Sequence, residues 1–370
     1  MVKIRSINII LVFIFLVSVP VFAEQRELYN TASYLARGKA MVADVDDYNV
    51  LFVNPAGIPL IKERIINFEF LIEGSSGISD NLTAFFGYNS DKYWKITDTN
   101  DLTQLKGKNT RGRVGFLGTY ITDLISFAVI ANGMLDSFVN TVPTTKDTVF
   151  STADVAVQFG IAKSFFEKKN FRIGGTGKAI YRGNRSGIFD TDQLQSQSIK
   201  PVGNLYANEG LAFSMDLGTQ YTWFIDESEF SIGLAALDLS TPFGIQPKIF
   251  GDGNTGRPEI LPARINFGFG YKVPNLYKGL TLRTNLDIIK SAAKKESSFQ
   301  DMIHMGIELK FPQFLSLRAG LNQLYWTAGI GVSYWVLDAS FATYVENTSI
   351  YEGDRTPSNR RYVFQVGFYF

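Results

Sequence analysis

The chain has 370 residues, 36 basic against 35 acidic, with 14% aromatics, 33 glycines and no cysteine. The near-neutral balance excludes a nucleic-acid partner. The absence of cysteine excludes disulfides, thiolate metal sites, cysteine nucleophiles and lipid attachment through a thiol.

Lys3 and Arg5 precede an apolar run from Ile7 to Val19, and Val21-Phe22-Ala23 places small residues where a signal peptidase reads. Ser18 and Pro20 interrupt the run, which is too short for a membrane anchor. Residues 1–23 therefore read as a cleaved signal peptide, and loss of Lys3 and Arg5 shifts the net charge to about −1. Residues 24–62 do not alternate. They read as short helices and loops preceding a barrel, lying in its lumen or on its periplasmic side.

From Arg64 onward, segments alternate with period two. Each is close to the roughly 9–11 residues that cross a bilayer when tilted. Strands are expected at about 64–73, 112–121, 124–133, 151–163, 171–182, 211–223, 229–238, 263–272, 279–290, 301–310, 314–322, 326–334, 336–345 and 361–370. One face of each is apolar, as in Ile66/Phe68/Phe70/Ile72 and Ile265/Phe267/Phe269/Tyr271; the other carries glycine, polar groups and charge. In this register no charge is expected on the apolar face, where Lys or Arg would cost about 2–4 kcal/mol at the bilayer midplane. Long polar connections alternate with short ones except at Gln323 to Tyr325, a pattern a soluble sandwich has no reason to show. The last strand puts Tyr362, Phe364, Val366, Phe368 and Phe370 on one face. The fold class expected is all-β: a transmembrane antiparallel barrel of about 14 strands (63–370) with an N-terminal lumenal hatch (24–62), in the bacterial outer membrane. Asn132-Gly133 is a candidate weak point for a side gap.

Within 24–62, Arg37-Gly38-Lys39-Ala40, the acidic pair Asp46-Asp47 and Leu51-Phe52-Val53 leading into Asn54-Pro55-Ala56-Gly57 resemble the hatch of FadL/TodX-type outer-membrane barrels. Arg318 to Asn322 and Tyr325 to Gly331 resemble a FadL-related branch that includes PorV-type secretion accessories. The resemblance implies fourteen strands and passive passage of long-chain fatty acids or hydrocarbons. It makes Asn54, Pro55, Ala56 and Gly57 the hatch motif. Candidate substrate contacts are Phe52, Val53, Ile58 and Leu60 in the hatch, with Phe85, Phe86, Tyr88, Tyr93 and Trp94 in the first long loop. The same residues also suit plain packing of a plug against the wall. The partners it implies are outer-membrane lipid, lipopolysaccharide or its equivalent, a hydrophobic small molecule, and the barrel-assembly machinery during insertion. The alternative reading is a non-transporting barrel: a secretion accessory, scaffold or surface adhesin.

Catalysis is not expected. His304, the only histidine, falls on the lumenal face with Arg283, Asp287, Glu308 and Arg318, a mixed-sign set that reads as a polar network. Gly174 to Lys178 resembles a phosphate loop, but its spacing is wrong and Ala179 stands where Ser or Thr is required. No cofactor or metal is implied.

Overall fold

The structure is a computed structural model. It describes residues 27–75, 109–138, 147–166, 170–189, 208–247, 256–292, 299–312, 314–346 and 360–370. Fourteen antiparallel strands form one closed barrel. They are β1 Ile65–Ser75, β2 Asn109–Ile121, β3 Ile125–Phe138, β4 Asp147–Phe165, β5 Phe171–Phe189, β6 Asn208–Ile225 and β7 Ser228–Leu239. The second half is β8 Arg264–Tyr277, β9 Leu280–Ser291, β10 Ile303–Lys310, β11 Leu315–Asn322, β12 Tyr325–Tyr334, β13 Leu337–Val345 and β14 Arg360–Tyr369. The ladder closes between β1 and β14, from Asn67 opposite Tyr369 to Ser75 opposite Arg361, so no edge is left unpaired.

The period-two pattern becomes an inside-out protein. On β1, Phe68, Phe70 and Ile72 are 46, 55 and 62% exposed, whereas the alternate residues Asn67 and Glu69 are 0% exposed. A wall with apolar side chains outside and polar ones inside is stable only where lipid replaces water around it. Among the described residues, basic side chains depart from the expected clean outer face at Lys163 on β4, Lys290 on β9 and Arg360 on β14; each lies near a strand end, where a long stem reaches the headgroup level.

Strands β4, β5 and β6 run to 19, 19 and 18 residues, longer than the sequence suggests. Their pairing continues above the apolar band, from Asp147 opposite Phe189 and Asn184 opposite Asn208, where polarity no longer marks a boundary. The expected weak point at Asn132-Gly133 is not a gap. Both residues pair on each side, with Gly115 and Val114 of β2 and with Asp154 and Ala153 of β4. The ladder is irregular elsewhere. A bulge separates Met215 and Leu217 where β6 meets β7, and pairing between β8 and β9 lapses from Val273 to Tyr277, around Pro274, which has no N–H to donate.

Candidate functional site

The lumen is occupied by the segment leading into β1. It folds into helix α1 (Ala32–Ala36) and two 3-10 turns, η1 (Tyr48–Leu51) and η2 (Pro55–Leu60). Each has an N-terminal cap: Thr31 Oγ1 accepts from Tyr34 N–H, Asp47 from Asn49 N–H and Asn54 Oδ1 from Ala56 N–H. Helices this short do not persist alone, so the wall must hold them.

It does so first by close approach. Inward-facing Gly174, Gly233, Gly306 and Gly320 admit the backbone of the segment so closely that a Cβ would strike Pro55, Val42, Arg37 and Gly38 respectively. Gly38 answers from the segment's side: its φ is +63°, and a Cβ there would strike the carbonyls of Met305 and Leu321.

Inward side chains then satisfy the segment's backbone. Asp287 Oδ2 accepts from Met41 N–H at 2.7 Å and Val42 N–H at 2.9 Å. Gln220 donates to Val42 O, Thr327 to Ala36 O, Gln158 to Leu51 O and Arg113 to Asn30 O, while Gln365 Oε1 accepts from Ala32 N–H. His304 Nδ1 lies 3.0 Å from Gly38 O, the ring donating because a carbonyl can only accept.

Ion pairs complete the attachment. Towards the long-loop end a chain of them crosses the lumen. Lys178 lies 2.8 Å from Asp216, and Asp238 bridges Lys178 to Arg264. Arg264 meets Glu27 at 2.6 Å, and Lys39 joins Glu27 to Glu346, which also holds Arg361. Burial opposes the charge on Glu346, yet Lys39 and Arg361 together hold its carboxyl well below the usual range. Towards the short-turn end, Glu308 gathers Arg318 at 2.7 Å, Arg37 at 3.5 Å and Arg283 at 3.9 Å, and Arg283 also grips Asp46 with both terminal nitrogens at 2.6 Å. Burial raises the Asp46 carboxyl, but Arg283 outweighs it and holds the group well below its ordinary value. Neighbouring Asp47 shifts the other way, raised by burial and by the charge of Asp46.

Of the sequence candidates, Arg283, Glu308 and Arg318 come together in one cluster, which also recruits Arg37 and Asp46 from the segment. Asp287 and His304 instead bind segment backbone. Asn54 caps η2 and donates to Val42 O and Thr219 O; Pro55 opens η2, and Gly57 is pressed against Val45 O. Phe52, Val53 and Ile58 are buried and Leu60 half-buried, with the Phe52 ring 5.5 Å from that of Tyr29. Phe85, Phe86, Tyr88, Tyr93 and Trp94 lie outside the described residues. Sequence reasoning missed the link from Glu27 through Lys39 to Glu346. All three lie where the chain does not alternate, so no register assigned them a face.

No family model matches the sequence, and no characterised protein matches it by sequence. Solved structures do match in fold. A TodX monoaromatic hydrocarbon channel carrying the deltaS2S3 mutation aligns over 92% of this chain and 98% of its own, at 9% identity and a TM-score of 0.55. The deltaS2 mutant of the same channel aligns over 93% and 97%, at 12% identity and a TM-score of 0.50. At these identities the likeness establishes the fold alone, that of TodX-type barrels.

Proposed function

We propose that this chain is an outer-membrane channel for passive uptake of hydrophobic molecules such as long-chain fatty acids or hydrocarbons, with residues 24–62 as its hatch. The carrying observation is a lumen occupied by a segment whose core is apolar: Tyr29, Leu51, Phe52, Val53 and Ile58 are all buried within it. Such a filling offers little to an ion or a sugar and suits a solute that can slide against side chains. The TodX-type fold supports the same class. In this reading residues 1–23 direct export, the assembly machinery inserts the barrel, and lipid with lipopolysaccharide or its equivalent surrounds the apolar belt. The chemistry is binding and passage, with no catalytic step. Uptake of oleate and of toluene by a deletion strain and its complemented counterpart tests the proposal: complementation should restore uptake of at least one, and equal uptake of both would reject it.

A second reading, a non-transporting scaffold or secretion accessory, is favoured by the ion-pair chain from Lys178 to Arg361, which ties the segment to strands on opposite sides of the lumen. Purification in mild detergent separates the two, since a scaffold brings a stoichiometric protein partner and a channel does not.

A further inference from the structure

The lumenal segment is not held equally on all sides. Strands β5 to β14 supply most of its hydrogen bonds and ion pairs, whereas from Ile125 to Met134 β3 makes no hydrogen bond to it among the described residues. Here the inner wall is Leu117, Thr119 and Ile121 on β2, followed by Ser126, Ala128 and Ile130 on β3, all 5% exposed or less. Across from it pack Tyr29, Phe52 and Ile58.

Register places four inward residues of this arc in a single row. Asn67 of β1 stands opposite Thr119, Thr119 opposite Ala128, and Ala128 opposite Gln158 of β4. Asn67 Oδ1, Thr119 Oγ1 and Gln158 Oε1 are buried without a hydrogen-bond partner, as is Ser126 Oγ one step towards the short turns. Two of these atoms have a fixed identity. Asn67 turns its amide nitrogen to Glu69 Oε2, and Gln158 turns its own to Leu51 O, so the oxygen of each faces away as an acceptor. Between them stands Ala128, the smallest side chain of the row. The next row towards the long loops is Glu69, Leu117, Ile130 and Ala156. Two unmet amide oxygens beside an apolar wall, with the Thr119 hydroxyl between them able to accept or donate, suit a hydrogen-bond donor on an apolar body.

Charge narrows the class. Glu69 is fully buried and receives Tyr29 O–H and the Asn67 amide, and no basic side chain pairs with it among the described residues. An ionised carboxylate brought into this row would meet the two amide oxygens and the buried Glu69 carboxyl, with only the Thr119 and Ser126 hydroxyls to donate to it and no cation among the described residues to balance its charge.

We propose that the seam between the lumenal segment and β2–β3 is a binding site for an elongated, neutral, apolar molecule ending in a hydrogen-bond donor, such as a long-chain alcohol or an alkylphenol. The donor sits in the row of Asn67, Thr119 and Gln158, and the apolar body lies along Leu117 and Ile130 against Phe52 and Tyr29. This deepens the uptake reading and rests on it, replacing an anionic substrate with a neutral donor-headed one.

Equilibrium binding of labelled 1-dodecanol, dodecanoate and dodecane to the full barrel in lipid nanodiscs, scored against empty discs at about pH 8, tests it. Dodecanol should bind about tenfold tighter than either of the others. Asn67→Leu should reduce that preference to about threefold or less with dodecane binding unchanged, and Ala128→Leu, which fills the row, should weaken dodecanol by about tenfold. Heat-modifiable mobility on gels verifies that each variant has closed its barrel. Equal binding of all three ligands, preference for dodecanoate, or no effect of either substitution overturns the seam while leaving hydrophobic uptake standing. No binding of any of the three overturns both.

Discussion

Two arcs of one barrel wall face the same lumenal segment and treat it differently. From β5 round to β14 the inner face is glycine, amide and charge, and it grips the segment's backbone at Val42, Gly38, Ala36 and Ala32. Across β2 and β3, from Leu117 and Ile121 to Ala128 and Ile130, the inner face is apolar and meets the segment through side chains; only nearer the long loops does β2 reach the segment's backbone, where Arg113 donates to Asn30 O. Hydrogen bonds and buried ion pairs are directional and fix one position. Apolar packing is non-directional and tolerates displacement at modest cost. The first arc therefore sets where the segment sits, and the second is where it can yield.

The comparison can be broken by experiment. The largest effect is expected at Lys39. Lys39→Met strands Glu27 and Glu346 as buried carboxylates with fewer partners and should cost about 3–5 kcal/mol of resistance to thermal unfolding. Next, Gly320→Val drives a side chain into Arg37 and Gly38 and should cost about 3 kcal/mol while exposing residues 27–61 to protease. Gly177→Val on the outer face, with nothing within 4 Å of the new Cβ, is its control and should leave protection intact. On the yielding arc, Ile130→Ala opens a cavity worth about 2 kcal/mol but should leave protease protection unchanged. Released fragments from that variant would show that β3 anchors the segment after all.

The smallest effect is a pH response at the short-turn end. Asp46 is depressed by Arg283, so its stabilising contribution is complete above the unfolded carboxyl value near 4 and is lost only as pH falls below it. Asp47 is raised, so it takes up its proton first, and that uptake favours the folded state as pH falls. Docking of η1 should thus hold or tighten from neutral pH down to about 4. Asp46→Asn should cost about 1 kcal/mol at neutral pH, and its melting curve should converge with that of the parent in strong acid.

Much of this architecture was legible because lipid imposes period two on every strand. Phe68, Phe70 and Ile72 could be assigned an outer face from the sequence alone, as could the inward Arg283, Glu308 and Arg318. Strand ends were less legible, because β4 to β6 continue past the belt, where polar and apolar residues no longer alternate regularly. The segment was least legible. Its position is written in wall residues hundreds of positions away, such as Gly306 beside Arg37 and Thr327 beside Ala36. Inward glycines were visible as a class, but not what backbone each was cleared for. The two orphaned amide oxygens of Asn67 and Gln158 are fixed by partners no spacing rule reveals.

The closing ladder between β1 and β14 does more than join the wall. The segment is joined directly to β1, and β14, which closes the wall against β1, also brings Gln365, whose amide accepts from Ala32 N–H and donates to Tyr48 Oη. The strand that seals the cylinder is thus also one that holds its contents, so a defect in the closing strand loosens both.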